Sequence, residues 1–322
     1  MFGYRVAEFG DVDVMRWVEL PDPVPGAGEL LVRVHASGIN FAETRMRAGT
    51  YSGQPLPFVM GMESAGVVEA VGPGVTEYKV GDRVFGRARG SHATHVLFEV
   101  LHTLPLPDSM DFVAGAAIPV GWLTAWHAVM TVARARPGER VLIEAIASSV
   151  GSAALQIAKW QNCWVAGTAS RDDKCARALA AGADAAYNYK TDDLPTRVMA
   201  DTGGHGIDVG LMTIGEETAR ALFDSMAYEG RIAMYGSTGG RQVCFSLNIG
   251  IRNLQLLAMS ISSSARFVPE SMPSFRKVAL PLFASGRFKA VVDTVLPMSE
   301  LARAHAMVDS RTHFGKIVLV ND

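Results

Sequence analysis

Residues Arg140-Val141-Leu142-Ile143-Glu144-Ala145-Ile146-Ala147-Ser148-Ser149-Val150-Gly151 constrain this chain more than any other stretch. An apolar run leads into small residues. Ser152-Ala153-Ala154-Leu155-Gln156-Ile157-Ala158-Lys159 then follows with helical character. The pattern predicts a buried strand, a tight turn and a helix. The first backbone N–H groups of such a helix have no intrahelical acceptor and attract an anion. Turns of this kind normally carry glycines, so that the backbone can approach phosphate oxygens closely. Only Gly151 is present here, and Ser148 and Ser149 stand where glycines are expected.

The 322 residues suit two domains. Hydrophobic residues make up 49% and charged residues 19%, which supplies ample core for a soluble globular protein. Thirty basic and 32 acidic residues leave a formal net charge of −2, so no electrostatic case for nucleic acid arises. Met1 to Phe9 lacks the basic-then-apolar layout of a signal peptide, and no apolar run reaches the ~18 residues of a membrane span. Three dispersed cysteines, Cys163, Cys175 and Cys244, argue against a disulfide framework and for a cytoplasmic protein.

The first third is rich in valine, glycine and proline. Strands are expected at Glu29–Ala36, Ser64–Gly72 and Gly81–Gly86, in a β-barrel-like domain. Asp111 to Arg136 turns helical. From Arg140 the pattern alternates, with strands expected at Arg140–Ala145, Cys163–Thr168, Ala185–Asn188, Ile207–Met212, Gly230–Tyr235 and Leu254–Met259. Helices such as Asp172–Ala181 and Glu216–Met226 fall between them, which implies a parallel sheet with right-handed crossovers. A helix around Phe275–Ser285 and a strand at Gly315–Val320 close the chain, the strand returning to the first domain.

Several ordered markers carry a family resemblance. They are Gly38-Ile39-Asn40-Phe41-Ala42-Glu43, Gly49-Thr50-Tyr51, Gly61-Met62-Glu63-Ser64-Ala65-Gly66-Val67-Val68, Val80-Gly81-Asp82-Arg83-Val84, the strand-turn-helix, and Phe314-Gly315-Lys316-Ile317-Val318-Leu319. Over nearly its whole length the chain resembles the medium-chain dehydrogenase/reductase superfamily, in its zinc-free quinone oxidoreductase and enoyl reductase branch. The resemblance implies an α/β fold. A GroES-like β-barrel catalytic domain spans 1–118 and 270–322, and a Rossmann doubly wound parallel-sheet domain spans 119–269. It also implies a pocket in the cleft between the two. Zinc members carry Cys and His where this chain has Asn40 and Met62, neither a fitting zinc ligand there, so no metal is expected. His92 and His95 fall three apart in the strand-like run Ser91–Phe98 and should face opposite sides.

In this branch the turn reads Ala-x-x-Gly-Gly-x-Gly. Gly151 keeps the position that lets the helix pack on the strand. Ser148, Ser149 and Val150 keep their N–H groups for a diphosphate, and the serines add hydroxyls. A positive φ at either serine would cost roughly 1–2 kcal/mol. At the tip of the second strand an acidic residue would favour NAD. Instead Ser170, Arg171 and Lys174, with Tyr189 from the next strand, are candidates for a 2′-phosphate, so NADPH is the expected cofactor. The acids Asp172 and Asp173 weaken that cationic argument. Thr124, Ile214, Gly236 and Ser237 are expected near the nicotinamide on the same resemblance.

Hydride transfer from NADPH to an electron-poor carbon then needs a group to polarise the acceptor. Tyr51 lies eleven positions after Asn40, as in zinc-free enoyl thioester reductases. A phenol, with a pKa of about 10 in water, is protonated at neutral pH and can donate to a carbonyl or quinone oxygen. Asn40 would orient the nicotinamide or the substrate through its amide. Glu43 stands where many relatives have Asp. Leu254–Ile261 is expected to pair with its copy in a homodimer. The expected activity is reduction of a quinone or activated alkene, a small-molecule substrate, with no nucleic-acid or membrane partner. The serine-bearing turn keeps two alternatives open: a reductase scaffold repurposed for a non-redox step, and a nucleotide-binding protein without turnover.

Overall fold

The computed structural model describes residues 1–51, 53–236, 238–239, 242–244 and 248–321. Ser237 therefore lies outside the described residues. Two compact units emerge, one of Met1–Val120 with Met272–Asp322, the other of Gly121–Ser271.

The first unit is built from β-strands. β1 (Phe2–Val6) pairs antiparallel with β2 (Met15–Glu19). β3 (Glu29–Gly38) is the central strand of the larger sheet. Leu30, Val32, Val34 and Ala36 alternate inward along it, as the period-2 pattern requires. After β3, helix α1 (Phe41–Arg47) precedes β4 (Phe58–Val59), which pairs with β1. β5 (Glu63–Val71) pairs with β3, and β6 (Arg83–Arg87) pairs with β5. β7 (His95–Glu99) pairs with the outer half of β3, and β8 (Thr103–Pro105) with β6. Leu30, Val32, Val34, Val68, Val84 and Phe98 pack together inside. The regular strand starts at His95 and not at Ser91, because Ser91 and His92 press their backbone against Gly61; a β-carbon there would sit 2.4 Å from the His92 nitrogen.

The second unit alternates. Short α2 (Phe112–Ala116) belongs to the first unit, and α3 (Pro119–Trp126) spans the boundary and leads into β9 (Arg140–Ile143). There follow α4 (Ser149–Trp160), β10 (Trp164–Ala169), α5 (Asp172–Ala180), β11 (Ala185–Asn188), α6 (Leu194–Asp201), β12 (Ile207–Met212), α7 (Glu216–Ser225), β13 (Met226–Met234) and β14 (Gln255–Ala258). The sheet order is β11-β10-β9-β12-β13-β14, with every pairing parallel. Leu142, Ala166, Tyr187, Ile207 and Leu222 fill one of its cores. The chain order reverses between β9 and β12, and in open sheets ligands bind at the carboxyl ends of strands at such a point.

β9 stops two residues earlier than the sequence pattern suggests. Ala145 takes φ +49°, which breaks the extended run. β13, by contrast, starts four residues earlier than expected, at Met226. At the C-terminus the helix Leu301–Ser310 lies between β15 (Val292–Pro297) and β16 (Lys316–Val320). β16 pairs with β3, matching Val318 to Gly38, and so rejoins the first unit. No helix among the described residues is long and apolar enough to cross a membrane.

Candidate active site

The turn after β9 is shaped by close backbone contact. A β-carbon on Gly151 would lie 2.4 Å from the Ala145 carbonyl oxygen and 2.6 Å from the Ile146 α-carbon. Only glycine lets α4 start this near the strand. Neither serine carries the strain. Ser148 has φ −76° and ψ 168°, Ser149 opens the helix, and the positive φ falls on Ala145, at a cost of roughly 1–2 kcal/mol. Ser148 caps α4: its Oγ accepts from the Gly151 N–H at 3.0 Å. One amide that a diphosphate would use is thus spent internally. The amides of Ser149 and Val150, in the first turn of α4, keep no intrahelical acceptor. A glycine-made close approach with two such amides at a strand's carboxyl end fits a diphosphate.

At the tips of β10 and β11, Arg171 chelates Asp173 through Nε and Nη2 at 2.8 and 3.0 Å, and Asn188 donates to Asp172 at 2.7 Å. Arg171 holds the Asp173 carboxyl below its usual range. Lys174 is buried, while Ser170 and Tyr189 are half-buried, the Tyr189 amide donating to the Ala169 carbonyl. The pairing commits Nε and Nη2 of Arg171 to Asp173, leaving Nη1 as the donor a phosphate would meet. On α3, Thr124 is buried, and Gly121 one turn earlier faces the Ser149 side chain. Gly236 abuts Thr213: a β-carbon on it would lie 2.4 Å from Thr213 Oγ1. Ile214 is buried after β12.

Glu144, the first residue past β9, reaches across to the end of β12. Its Oε2 accepts from the amides of Thr213 and Ile214, both at 2.8 Å, and its Oε1 from Thr218 Oγ1 at 2.5 Å. Burial pushes its carboxyl up, while those three donors pull against the shift.

In the first unit, Tyr51 is 42% exposed and its amide donates to the Arg45 carbonyl, so the loop hangs from α1. Asn40 is buried at the start of α1 and its amide is committed. Nδ2 donates to Glu63 Oε1 at 2.7 Å and to Glu43 Oε1 at 3.0 Å, and Oδ1 accepts from Lys316 Nζ at 2.8 Å. Neither amide hydrogen is left for a nicotinamide or a substrate. Lys316 Nζ also meets Glu63 Oε1 at 2.5 Å, and the Val120 amide donates to Glu63 Oε2.

Glu43 Oε2 contacts His92 Nε2 at 2.5 Å. Ser37 Oγ donates its one proton to the Glu63 carbonyl, so it accepts from His92 Nδ1. Burial pushes the Glu43 carboxyl up, but His92, His305 and Asn40 together outweigh it and hold it below the ordinary range. His305 joins them: Glu43, His92 and His305 bring ligand-type atoms within 4.8 Å of one another. Arg47 can only donate, so His305 Nδ1 accepts from it and Nε2 carries the proton. His305 Nε2 is buried and meets no hydrogen-bond partner. His95 turns away to Glu69, at 3.1 Å.

Two family models match the chain, an alcohol dehydrogenase GroES-like domain over residues 26–108 and a zinc-binding dehydrogenase domain over 149–285. Quinone oxidoreductase of Rattus norvegicus is 31% identical over 325 residues, covering 99% of this chain and 98% of that protein. A mycobacterial structure complexed with NADPH superposes with a TM-score of 0.90 at 32% identity, covering 99% of this chain and 100% of the other. The NADPH complex of Escherichia coli quinone oxidoreductase gives 0.90 at 28% identity, again over 99% and 100%. The chain is a medium-chain dehydrogenase/reductase. It belongs to the quinone oxidoreductase and enoyl reductase branch of that family, a family of oxidoreductases.

In this family member the sequence pattern brought Tyr51 and the turn into view, but not Glu63, Lys316, His305 or Glu144. Lys316 sits inside a terminal strand motif, where a lysine reads as a solvent-facing residue; His305 and Glu144 likewise carry no local sign of their partners. Replacing Lys316 by Met leaves the buried Glu63 carboxylate without its cation. Denaturant melts should show a loss of about 3–5 kcal/mol, most of it regained in Lys316→Met/Glu63→Gln. His305 yields a pH prediction. Burial pushes its pKa down to about 4, whereas an unfolded histidine takes up its proton near ~6.5. The unfolded chain binds more protons between those values, so stability should fall as pH drops through that window, by roughly 3 kcal/mol in all. Melts of His305→Gln across the same range should show a flatter slope.

Proposed function

We propose that this protein is a zinc-independent, NADPH-dependent reductase of quinones or activated alkenes such as enones and enoyl thioesters. One observation carries the reading. The close-packed turn at Gly151 presents the first amides of α4 at the carboxyl end of β9, beside the switch point of a parallel sheet. Relatives whose structures hold NADPH share the fold along the entire chain. The coenzyme supplies a hydride from C4 of its dihydronicotinamide.

The chain's residues would do the rest. Ser149 and Val150 amides hold the diphosphate, with the Ser148 hydroxyl turning from Gly151 toward it. Ser170, Arg171, Lys174 and Tyr189 take the 2′-phosphate. Tyr51 donates a hydrogen bond to the acceptor oxygen, stabilising the enolate-like charge that hydride addition creates. The Arg87 guanidinium is pushed down by burial and drawn back by the charge of Glu63. Asn40 serves as a positioning residue. Its saturated amide locks the start of α1, from whose end the Tyr51 loop is hung. Zinc independence rests on Asn40 and Met62, which stand at the ligand positions of the zinc branch. β14 has one partner strand among the described residues and offers its other edge to a second copy, as a homodimer would require.

The Ser148 cap on Gly151 favours a second reading, a nucleotide site without turnover or with a non-redox step. Fluorescence titration with NADPH separates them. The reductase reading expects binding at micromolar coenzyme and oxidation of it by a model quinone. Tyr51→Phe should then lower kcat about a hundredfold at unchanged coenzyme affinity. Binding without oxidation by any of several acceptors supports the second reading, and no binding at millimolar NADPH removes the first. Ser148→Gly/Ser149→Gly should bind NADPH equally or more tightly, since it frees the Gly151 amide; a clear loss would show that the serines serve another ligand.

A further inference from the structure

Glu144 is a buried carboxylate without a buried cation. It is 1% exposed, and no ion pair reaches it among the described residues. The two other fully buried glutamates are met by charged or titratable partners, Glu63 by Lys316 and Glu43 by His92. Glu144 has only two amides and a hydroxyl. Those donors satisfy its lone pairs but carry no net charge, so the site keeps a strong demand for a cation when the carboxyl ionises.

Its position shows where that demand is felt. Glu144 follows the last residue of β9 and grips the first two residues after β12, which are neighbouring strands on either side of the chain reversal. It therefore bridges the base of the crevice where a dinucleotide lies in a sheet of this order. Thr213 and Ile214, the residues it holds, are bonded in turn to the loop after β13, through the Thr238 and Gly239 amides at 2.9 and 2.7 Å. Tyr235, at the end of β13, has its hydroxyl buried, and its phenol is pushed up by burial and by the charge of Glu144.

We propose that Glu144 is the counter-charge for the oxidised coenzyme: its carboxylate stabilises the nicotinamidium cation of NADP⁺ over the neutral dihydronicotinamide of NADPH. This rests on the coenzyme reading above. Hydride loss turns a neutral ring into a cation, and an uncompensated anion fixed beneath the crevice favours that change. The bound coenzyme becomes a stronger hydride donor than it is in water. Glu144 does this as a fixed charge, with no bond to the ring.

The test is calorimetric binding of NADP⁺ and NADPH to the full chain at intervals from about pH 6 to about pH 10, because burial raises the Glu144 carboxyl and the counter-charge acts only where it is ionised. At the upper end of that range wild-type protein should hold NADP⁺ at least as tightly as NADPH. Glu144→Gln is isosteric: its amide oxygen can take the two backbone N–H groups, and its NH₂ can donate to the Thr218 hydroxyl. This variant should weaken NADP⁺ about tenfold and leave NADPH within about twofold. Merely structural damage would weaken both forms alike, and that result overturns the assignment, as does an unchanged ratio. Should the variant not fold, the wild-type ratio still decides, because NADPH held more than about tenfold tighter than NADP⁺ contradicts a counter-charge. Failure of the wild-type protein to bind either form overturns the coenzyme reading and this assignment with it, whereas binding of both with an unaltered ratio in Glu144→Gln overturns this assignment alone.

Discussion

A carboxylate taken out of water must be met by donors, and this fold answers that demand three times at places that shape its chemistry. Glu63 is met by Lys316 and by the Asn40 amide. Glu43 is met by His92 and by the other Asn40 hydrogen. Glu144 is met by backbone amides and one threonine. The first two answers tie together α1, β5, the segment before β7 and β16, parts far apart in sequence. Losing one partner would expose the others, because a half-satisfied buried network costs more than an apolar one.

Asn40 shows how a single side chain serves such a network. Its three hydrogen-bonding arms join two carboxylates and an ammonium. In the zinc branch of this family a metal ligand stands at the matching position. Here the fixed positive charge beside position 40 is the Lys316 ammonium. The loop carrying Tyr51 descends from the same helix, tied to it by the Tyr51 amide and the Arg45 carbonyl.

Much of the fold was legible because its signals are local. Strands of β-branched and apolar residues alternating with amphipathic helices announce a parallel sheet, and the observed order β11-β10-β9-β12-β13-β14 is that sheet. The end of β9 was not legible, since nothing in the sequence marks Ala145 as the residue that adopts a positive φ. The positive φ considered for the serines falls on Ala145, and Ser148 is an ordinary helix cap. Site residues were legible in proportion to how local their roles are. Gly151 and the helix start follow from spacing, whereas the saturation of Asn40, the chelation of Asp173 by Arg171 and the burial of Lys174 arise from tertiary neighbours. His92 read as an ordinary strand histidine because its partners, Ser37 and Glu43, lie on other elements.

The account stands on one physical claim, that a turn with serines in place of glycines still receives a diphosphate on the first amides of α4. A crystal structure grown with excess NADPH tests it most directly. The expected result is diphosphate oxygens within hydrogen-bonding distance of the Ser149 and Val150 amides, with the Ser148 hydroxyl swung from Gly151 to a phosphate. A turn unchanged by the coenzyme, with Ser148 still capping Gly151 and no nucleotide beside it, would contradict the account.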